Sequence, residues 1–277
     1  MTTKDYERLL TKPTREADDQ EAFWDKRAKI FHRNTKAKKS EHVVKMMEAL
    51  MYRKVLKQKG EVLDIGCGTG RYAMAFAEQG QQVYASDISS EMLRYTAESC
   101  QAAGLVNVQC VKQDWSATAI SELGWKNKFQ LVFASMSPAI QSLKEIEKMS
   151  EASSGYCLVG RMIESKNDVE TEVMQQLKLS RPYDPHNDRQ IPYAMLNILW
   201  LLGYDPEIFY TEESQQVKRS VVDTIEGYAH RLKDADKATL EAIESFVSQR
   251  QVDGEIQSRS CSKMCWILWN TQQSNRA

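Results

Sequence analysis

Val62-Leu63-Asp64-Ile65-Gly66-Cys67-Gly68-Thr69-Gly70 sets a short apolar run against a carboxylate and then three glycines at alternate positions. Val62, Leu63 and Ile65 have the pattern of a strand buried on both faces, as in a parallel sheet. The glycines allow a sharp turn and a close backbone approach that a Cβ would block. Arg71 to Gln79 then reads as a helix, so the turn aims a helix N-terminus at whatever it holds. Strand, glycine turn and helix together predict a nucleotide-type pocket.

Working outward, the same alternation continues. Gly80 is placed to stop the first helix, and Gln82 to Asp87 reads as a second strand ending in a carboxylate. Ser89 can cap a helix whose inner face is Met92, Leu93, Thr96, Ala97 and Cys100, with Gly104 as its stop. Val106 to Val111 predicts a third strand that delivers Asp114 and Trp115 to the loop beyond it. Phe129 to Ala134 is a fourth, followed by Ser135-Met136-Ser137-Pro138, and Tyr156 to Gly160 is a fifth. Strands and helices at this spacing predict βαβ units and an α/β, doubly wound, largely parallel sheet. Such sheets bind ligands beyond the carboxyl ends of their strands, and Asp64, Asp87, Asp114 and Ser135 all fall there.

The flanks add to this frame. Residues 1–59 read as an N-terminal helical cap, with one amphipathic helix around Phe23 to Phe31 and another from Val43 to Val55. Between them Lys36, Lys38 and Lys39 form a short basic segment, read as a solvated linker. Residues 60–277 then form the main domain, with helical insertions near 163–190 and 212–257. Ser165 to Ser180 reads as helical, Arg181 to Arg189 as a loop of turn formers, and Tyr193 to Leu202 as a buried helix. Pro206 to Tyr210 and Lys263 to Trp269 read as strands. Residues 217–232 and 236–250 have helical spacing.

Composition narrows the classes. Thirty-seven basic residues against 38 acidic ones leave a net charge of −1, so nothing global recruits nucleic acid or a membrane surface. The N-terminal residues lack the apolar centre of a secretory signal, and no apolar run approaches the ~20 residues that span a bilayer. The six cysteines form no Cys-x-x-Cys pair, which argues against a zinc site and for reduced thiols in the cytoplasm. No metal site is expected, and no oligomeric state is assigned.

A dinucleotide site predicts Gly-x-Gly-x-x-Gly, but Arg71 stands where its third glycine belongs. With Asp64 ahead of Gly66-x-Gly68-x-Gly70, Asp87 closing the second strand and Asp114 after the third, the chain resembles the class I S-adenosylmethionine-dependent methyltransferases. The resemblance covers about residues 60–162, and the terminal strand fits that family's closing hairpin. It implies a Rossmann-like seven-stranded sheet with helices on both faces and S-adenosyl-L-methionine as cofactor. It implies a site of Asp64, Gly66, Cys67, Gly68, Gly70, Asp87, Ile88, Met92, Asp114, Trp115 and Ser135. Within that site Asp87 would accept from the ribose hydroxyls, Asp114 from the adenine amino group, and Ile88 and Trp115 would sandwich the ring. The glycines would admit the methionine part, Asp64 would favour the cationic end or orient the turn, and Ser135 would line the methyl end. Ile88 and Met92 also read as plain core.

Methyl transfer from a sulfonium is a displacement on an activated cofactor, so positioning and desolvation can carry much of the catalysis. The sequence accordingly offers no compelling base. Ser137-Pro138-Ala139-Ile140 lacks the second proline and the aromatic of the motif that some amino-group methyltransferases carry there, and His186 is the one weak candidate. The helical additions are expected to form a lid over the crevice, with Trp24, Tyr183, His186, Tyr193 or Tyr228 facing a small-molecule acceptor. Competing readings are an RNA or protein methyltransferase docking through the basic segment 26–39, a nicotinamide oxidoreductase disfavoured by the glycine spacing, and a catalytically silent cofactor-binding module.

Overall fold

In a computed structural model of the protein, describing residues 2–10, 17–37, 40–180, 183–232 and 235–273, the alternation from Glu61 onward builds one seven-stranded sheet. Its strands are β1 (Glu61–Ile65), β2 (Gln82–Asp87), β3 (Val108–Lys112), β4 (Phe129–Ser135), β5 (Ser153–Asn167), β6 (Glu207–Ser220) and β7 (Glu255–Asn270). The helices are α1 (Thr3–Leu10), α2 (Ala17–Ala37), α3 (Glu41–Tyr52), α4 (Arg71–Glu78), α5 (Ser90–Ala102), α6 (Leu143–Ala152), α7 (Asp168–Gln176), α8 (Gln190–Leu201), α9 (Val221–Arg231) and α10 (Lys237–Gln249). No helix among the described residues is long and apolar enough to cross a membrane.

The strand order is β3-β2-β1-β4-β5-β7-β6. β1 pairs parallel with β2 on one side and with β4 on the other, so the winding reverses between β1 and β4. That reversal opens the switch-point crevice of a doubly wound sheet, and it falls on the Val62–Gly70 stretch. β7 runs antiparallel to β5: Gly155 bonds Thr271 near one end of the pair, and Asn167 bonds Ser258 near the other.

Helices cover both faces. Side chains alternate between faces along a strand, so Cys157 and Gly160 of β5 look opposite ways. Cys157 Sγ reaches the Met149 carbonyl of α6. At Gly160 an added Cβ would stand 2.3 Å from Trp266, which stacks on Phe133 beneath Tyr72 of α4. Phe129, Leu131, Val132 and Phe133 are fully buried, as the mainly apolar fourth strand predicts.

The chain divides into two compact units. The first comprises Met1–Arg161, Arg189–Thr211 and Cys265–Ala277, and so contains the parallel strands together with α1 to α6 and α8. The second comprises Met162–Asp188 and Glu212–Met264, and has its own small core of Val169, Val173, Tyr228, Ile243, Val247 and Ile256.

Several boundaries differ from those predicted. β3 begins at Val108, because Val106 is almost wholly exposed and has nothing to pack against. Residues 163–167 continue β5 rather than starting a helix; Asn167 is the turning point, its side chain accepting from Glu170 N to cap α7. β6 runs to Ser220, so Val217 belongs to a strand and α9 starts only where Ser220 caps it. β7 starts at Glu255, eight residues before the strand read from the sequence. Helix α2 continues through Ala37, and Lys38 and Lys39 of the basic segment lie outside the described residues.

Candidate active site

The turn after β1 is held from beneath and is open along the flank of Gly68. Gly66 N and Cys67 N both donate to the Ser86 carbonyl of β2, at 2.8 and 2.9 Å. Gly66 has φ +68°, and a Cβ there would lie 2.2 Å from Ser137 Oγ, so this position is glycine because the loop after β4 backs onto it. Gly68 is different. Its φ is +57°, yet an added Cβ would meet nothing within 4 Å. The left-handed backbone requires a permissive residue there, and the space beside it lies free for a ligand.

Asp87 ties the turn to the next strand end. Its Oδ2 accepts from Gly68 N and its Oδ1 from Ser89 N, both at 2.9 Å. Burial pushes its carboxyl up, and these main-chain donors oppose the rise. Each oxygen has a second lone pair for a further donor. Asp64 is more deeply sealed: its Oδ2 is buried with no hydrogen-bond partner. Burial first, then the charge of Asp87, push its carboxyl up to about 8. Asp64 is therefore mostly protonated at neutral pH, not the standing anion the sequence suggested, and a cation placed beside it would draw the proton off. The Cys67 thiol is pushed up by burial and by Asp87, so it stays protonated and unreactive.

Helix α2 lies along this site through contacts that the sequence reading missed. Asp25 Oδ1 accepts from Ser89 Oγ at 2.5 Å and from Glu91 N at 3.1 Å, at the N-terminus of α5. Ten residues on, Thr35 Oγ1 shares a 2.8 Å hydrogen bond with Thr69 Oγ1 of the glycine turn. His32, between them, stacks on Tyr95 of α5. In the Phe23-Trp24-Asp25 stretch it is the aspartate, not the tryptophan, that makes these hydrogen bonds. Trp24 is half-buried and packs edge-on against Phe23 and Phe31.

Asp114, beyond β3, accepts from Ser116 N and Ser116 Oγ through Oδ1. Trp115 beside it is only 2 % exposed, its Nε1 has no partner, and Lys148 Nζ sits 5.1 Å over its ring while donating to its carbonyl. Its ring is thus core beneath a buried lysine, and it offers no open face for a sandwich. Met92 is likewise buried in the core, whereas Ile88 keeps part of its surface open. Ser135, closing β4, has a buried Oγ without a partner.

The five acceptor-side candidates fall in different parts of the chain. Trp24 and Tyr193 belong to the first unit; Tyr193 is exposed on α8 and meets Tyr6 of α1 edge-on, with ring centroids 5.8 Å apart. Tyr183, His186 and Tyr228 belong to the second. Tyr183 is 65 % exposed and donates to Asp188, and His186 is exposed with Nδ1 2.9 Å from Asp184 Oδ1 of its own loop. Tyr228, at 2 % exposure, is the centre of the second unit's core, which removes it as a substrate contact. Among the described residues no cluster of His, Cys, Asp and Glu side chains could hold a metal ion.

A family model described as methyltransferase domain matches residues 62–153. An uncharacterized protein of Haemophilus influenzae is 25 % identical over 260 residues, spanning 90 % of this chain and 89 % of its own. A Methanococcus maripaludis structure described as a "putative s-adenosyl-l-methionine-dependent methyltransferase" superposes with TM-score 0.51 at 17 % identity, over 72 % of this chain and 91 % of its own. An Anaeromyxobacter dehalogenans structure, described as a "Putative Type II Methyltransferase", gives 0.50 at 13 % identity over 80 % and 95 %. At such identities the two structures establish a shared fold. The residues present fit S-adenosylmethionine: an open flank at Gly68, a buried Asp64 Oδ2 without a partner, and a strand-end carboxylate at Asp87 with lone pairs to spare. Residues 62–153 thus carry a methyltransferase domain on a Rossmann-like sheet, and the side chains around its glycine turn fit S-adenosylmethionine as cofactor.

Proposed function

We propose that this enzyme methylates a small molecule, and that the Gly66–Gly70 turn, Asp87 and Asp114 hold the cofactor while Ser135 lines its reacting end. The observation that carries the small-molecule reading is α2: hydrogen bonds accepted by Asp25 and shared by Thr35 lay it against both the glycine turn and the start of α5. A site roofed by a helix suits a compact acceptor that can be surrounded better than a polymer that must be threaded past the roof. The near-zero net charge points the same way, since polynucleotide binding draws most of its affinity from neutralised phosphates. All six cysteines are free thiols, which supports a reducing, cytoplasmic setting.

When bound, the cofactor supplies a methyl group on a sulfonium, activated for direct displacement. The protein's part is to bind and orient. The open flank of Gly68 admits main chain against ligand, and Asp87 would accept from vicinal hydroxyls by charge-assisted hydrogen bonds. Asp64 would ionise when a cation approaches, releasing its proton to solvent. Helix α2 would shield the Thr69 side of the turn from solvent. No residue is assigned as general base.

The test is release of S-adenosylhomocysteine from S-adenosylmethionine over three acceptor panels: metabolites, total RNA and unmodified protein extract. Turnover confined to metabolites supports the proposal. Turnover confined to RNA or protein overturns it, and tight cofactor binding with no turnover on any panel favours a silent binding module.

A further inference from the structure

We propose that Arg161 anchors an anionic oxygen group, a carboxylate or a phosphate, of the methyl acceptor. This inference rests on the small-molecule reading above and narrows it to anionic small molecules.

Arg161 follows Gly160, which stands in register with Ser135 at the carboxyl end of β4. Met136 N donates to the Gly160 carbonyl at 2.9 Å, fixing the end of β4 beside the middle of β5. Arg161 is therefore at the ligand-binding edge of the parallel sheet, two strands from the glycine turn. Its guanidinium is held rigidly by the β4–α6 loop: Nη1 donates to the Ser137 carbonyl at 2.9 Å and Nη2 to the Ile140 carbonyl at 2.7 Å. That loop abuts the cofactor turn, because Ser137 Oγ occupies the space where a Cβ on Gly66 would lie.

Two carbonyls leave the guanidinium short. It has five N–H donors, and its Nε is sealed from solvent with no partner. The carbonyls are neutral, and among the described residues no carboxylate pairs with Arg161 to balance its charge. Burial alone pulls its pKa down to about 10, so the cation persists at neutral pH without a counter-ion. A partly buried cation whose Nε is sealed without a partner is costly to keep, and an incoming anion would repay that cost with a charge-assisted bond. Ser135 Oγ, on the adjacent strand end, is a second buried donor without a partner. The two orphaned donors lie on opposite faces of the sheet at the carboxyl edge of the β4–β5 pairing, the edge at which doubly wound sheets bind ligands. A loop tether alone would need neither a permanent charge nor a third donor.

The experiment uses the full chain and matched acceptor pairs, carboxylate against amide and phosphate monoester against alcohol, in the homocysteine-release assay with wild type, Arg161→Lys and Arg161→Gln. Wild type is expected to prefer the anionic member by about tenfold or more in kcat/KM, and the pair showing the larger ratio identifies carboxylate or phosphate. Arg161→Gln is expected to raise KM for that acceptor about tenfold with kcat changed less than about threefold, and to abolish the preference. S-adenosylhomocysteine affinity should stay unchanged. Should Arg161→Gln fail to fold, Arg161→Lys, which keeps the charge but loses the fork, is expected to weaken the preference only partly. Equal use of the neutral member by wild type, or a preference that survives Arg161→Gln, overturns the anchor and leaves the small-molecule reading standing. If no small molecule is turned over, thermal shift of the S-adenosylhomocysteine complex with acetate, inorganic phosphate and acetamide at fixed ionic strength decides the anchor separately. Stabilisation by one of the anions alone, lost in Arg161→Gln, supports it; equal responses to all three overturn it.

Discussion

Replacing Asp64 by asparagine should change how stability responds to pH, in a sense fixed by burial of the carboxyl. In the folded protein Asp64 titrates near 8; in the unfolded chain it titrates at its ordinary value of 3.8. The folded state therefore holds a proton that the unfolded state has already lost, and the contribution of Asp64 to stability falls as pH rises from about 4 to about 8, then levels off. Each pH unit in that window removes about 1.4 kcal/mol, so between pH 6 and pH 8 wild type should lose about 2–3 kcal/mol through this one group. Asp64→Asn keeps the size and has no proton to lose. The stability difference between mutant and wild type should thus move in the mutant's favour by about 2–3 kcal/mol from pH 6 to pH 8, and change little above that. Urea unfolding at pH 6, 7, 8 and 9 without cofactor measures it directly, with the midpoint and slope fitted at each pH. A constant difference across that range would show that Asp64 is ionised in the fold, and the account of the glycine turn as a site waiting for a cation would fail.

Two further predictions concern elements that pattern reading misjudged. Asp25→Ala removes the acceptor for Ser89 Oγ and Glu91 N, and should cost about 1–2 kcal/mol in urea while increasing hydrogen exchange in α2; unchanged exchange would mean α2 is held by other contacts. Tyr228→Ala should destabilise the second unit by about 3 kcal/mol or more, with its 221–249 helices losing exchange protection first, because the ring fills that unit's core. Loss of turnover in this variant without loss of stability would restore Tyr228 as a substrate contact.

How much could be read in advance follows the range of the forces involved. The β1 turn, the strand ends at Asp87 and Ser135 and the caps at Ser89 and Gly80 are local patterns, legible within a few residues. The long strands β5, β6 and β7 were cut short because their outer halves are polar and partly exposed, so alternation there has no apolar side to mark it. Val217 sat at helical spacing with Val221 and Ile225 by coincidence; the Ser220 cap, which pins the helix start, was the overlooked signal. Trp115 was misassigned because a tryptophan after a strand-end aspartate has the same local sequence whether its ring faces a ligand or is buried under Lys148, 33 residues away. Asp25 and Thr35 gain their roles only by contact with residues at least 34 positions distant, which no local pattern encodes. Arg161 could have been noticed, since it follows a predicted strand as Asp87 and Asp114 do, but a lone arginine after a strand carries no pattern of its own.

The central claim is that the cofactor lies against the open flank of Gly68. Asparagine tolerates the left-handed backbone there better than other side chains, and its side chain would project into the space left free beside the turn. Calorimetric titration of S-adenosylhomocysteine into wild type and Gly68→Asn tests the claim most directly, with melting temperatures measured on the same samples. The account predicts binding to wild type and a loss of about tenfold or more in Gly68→Asn, with only a small change in melting temperature. Equal affinity in the two proteins, or no binding to wild type, would contradict it.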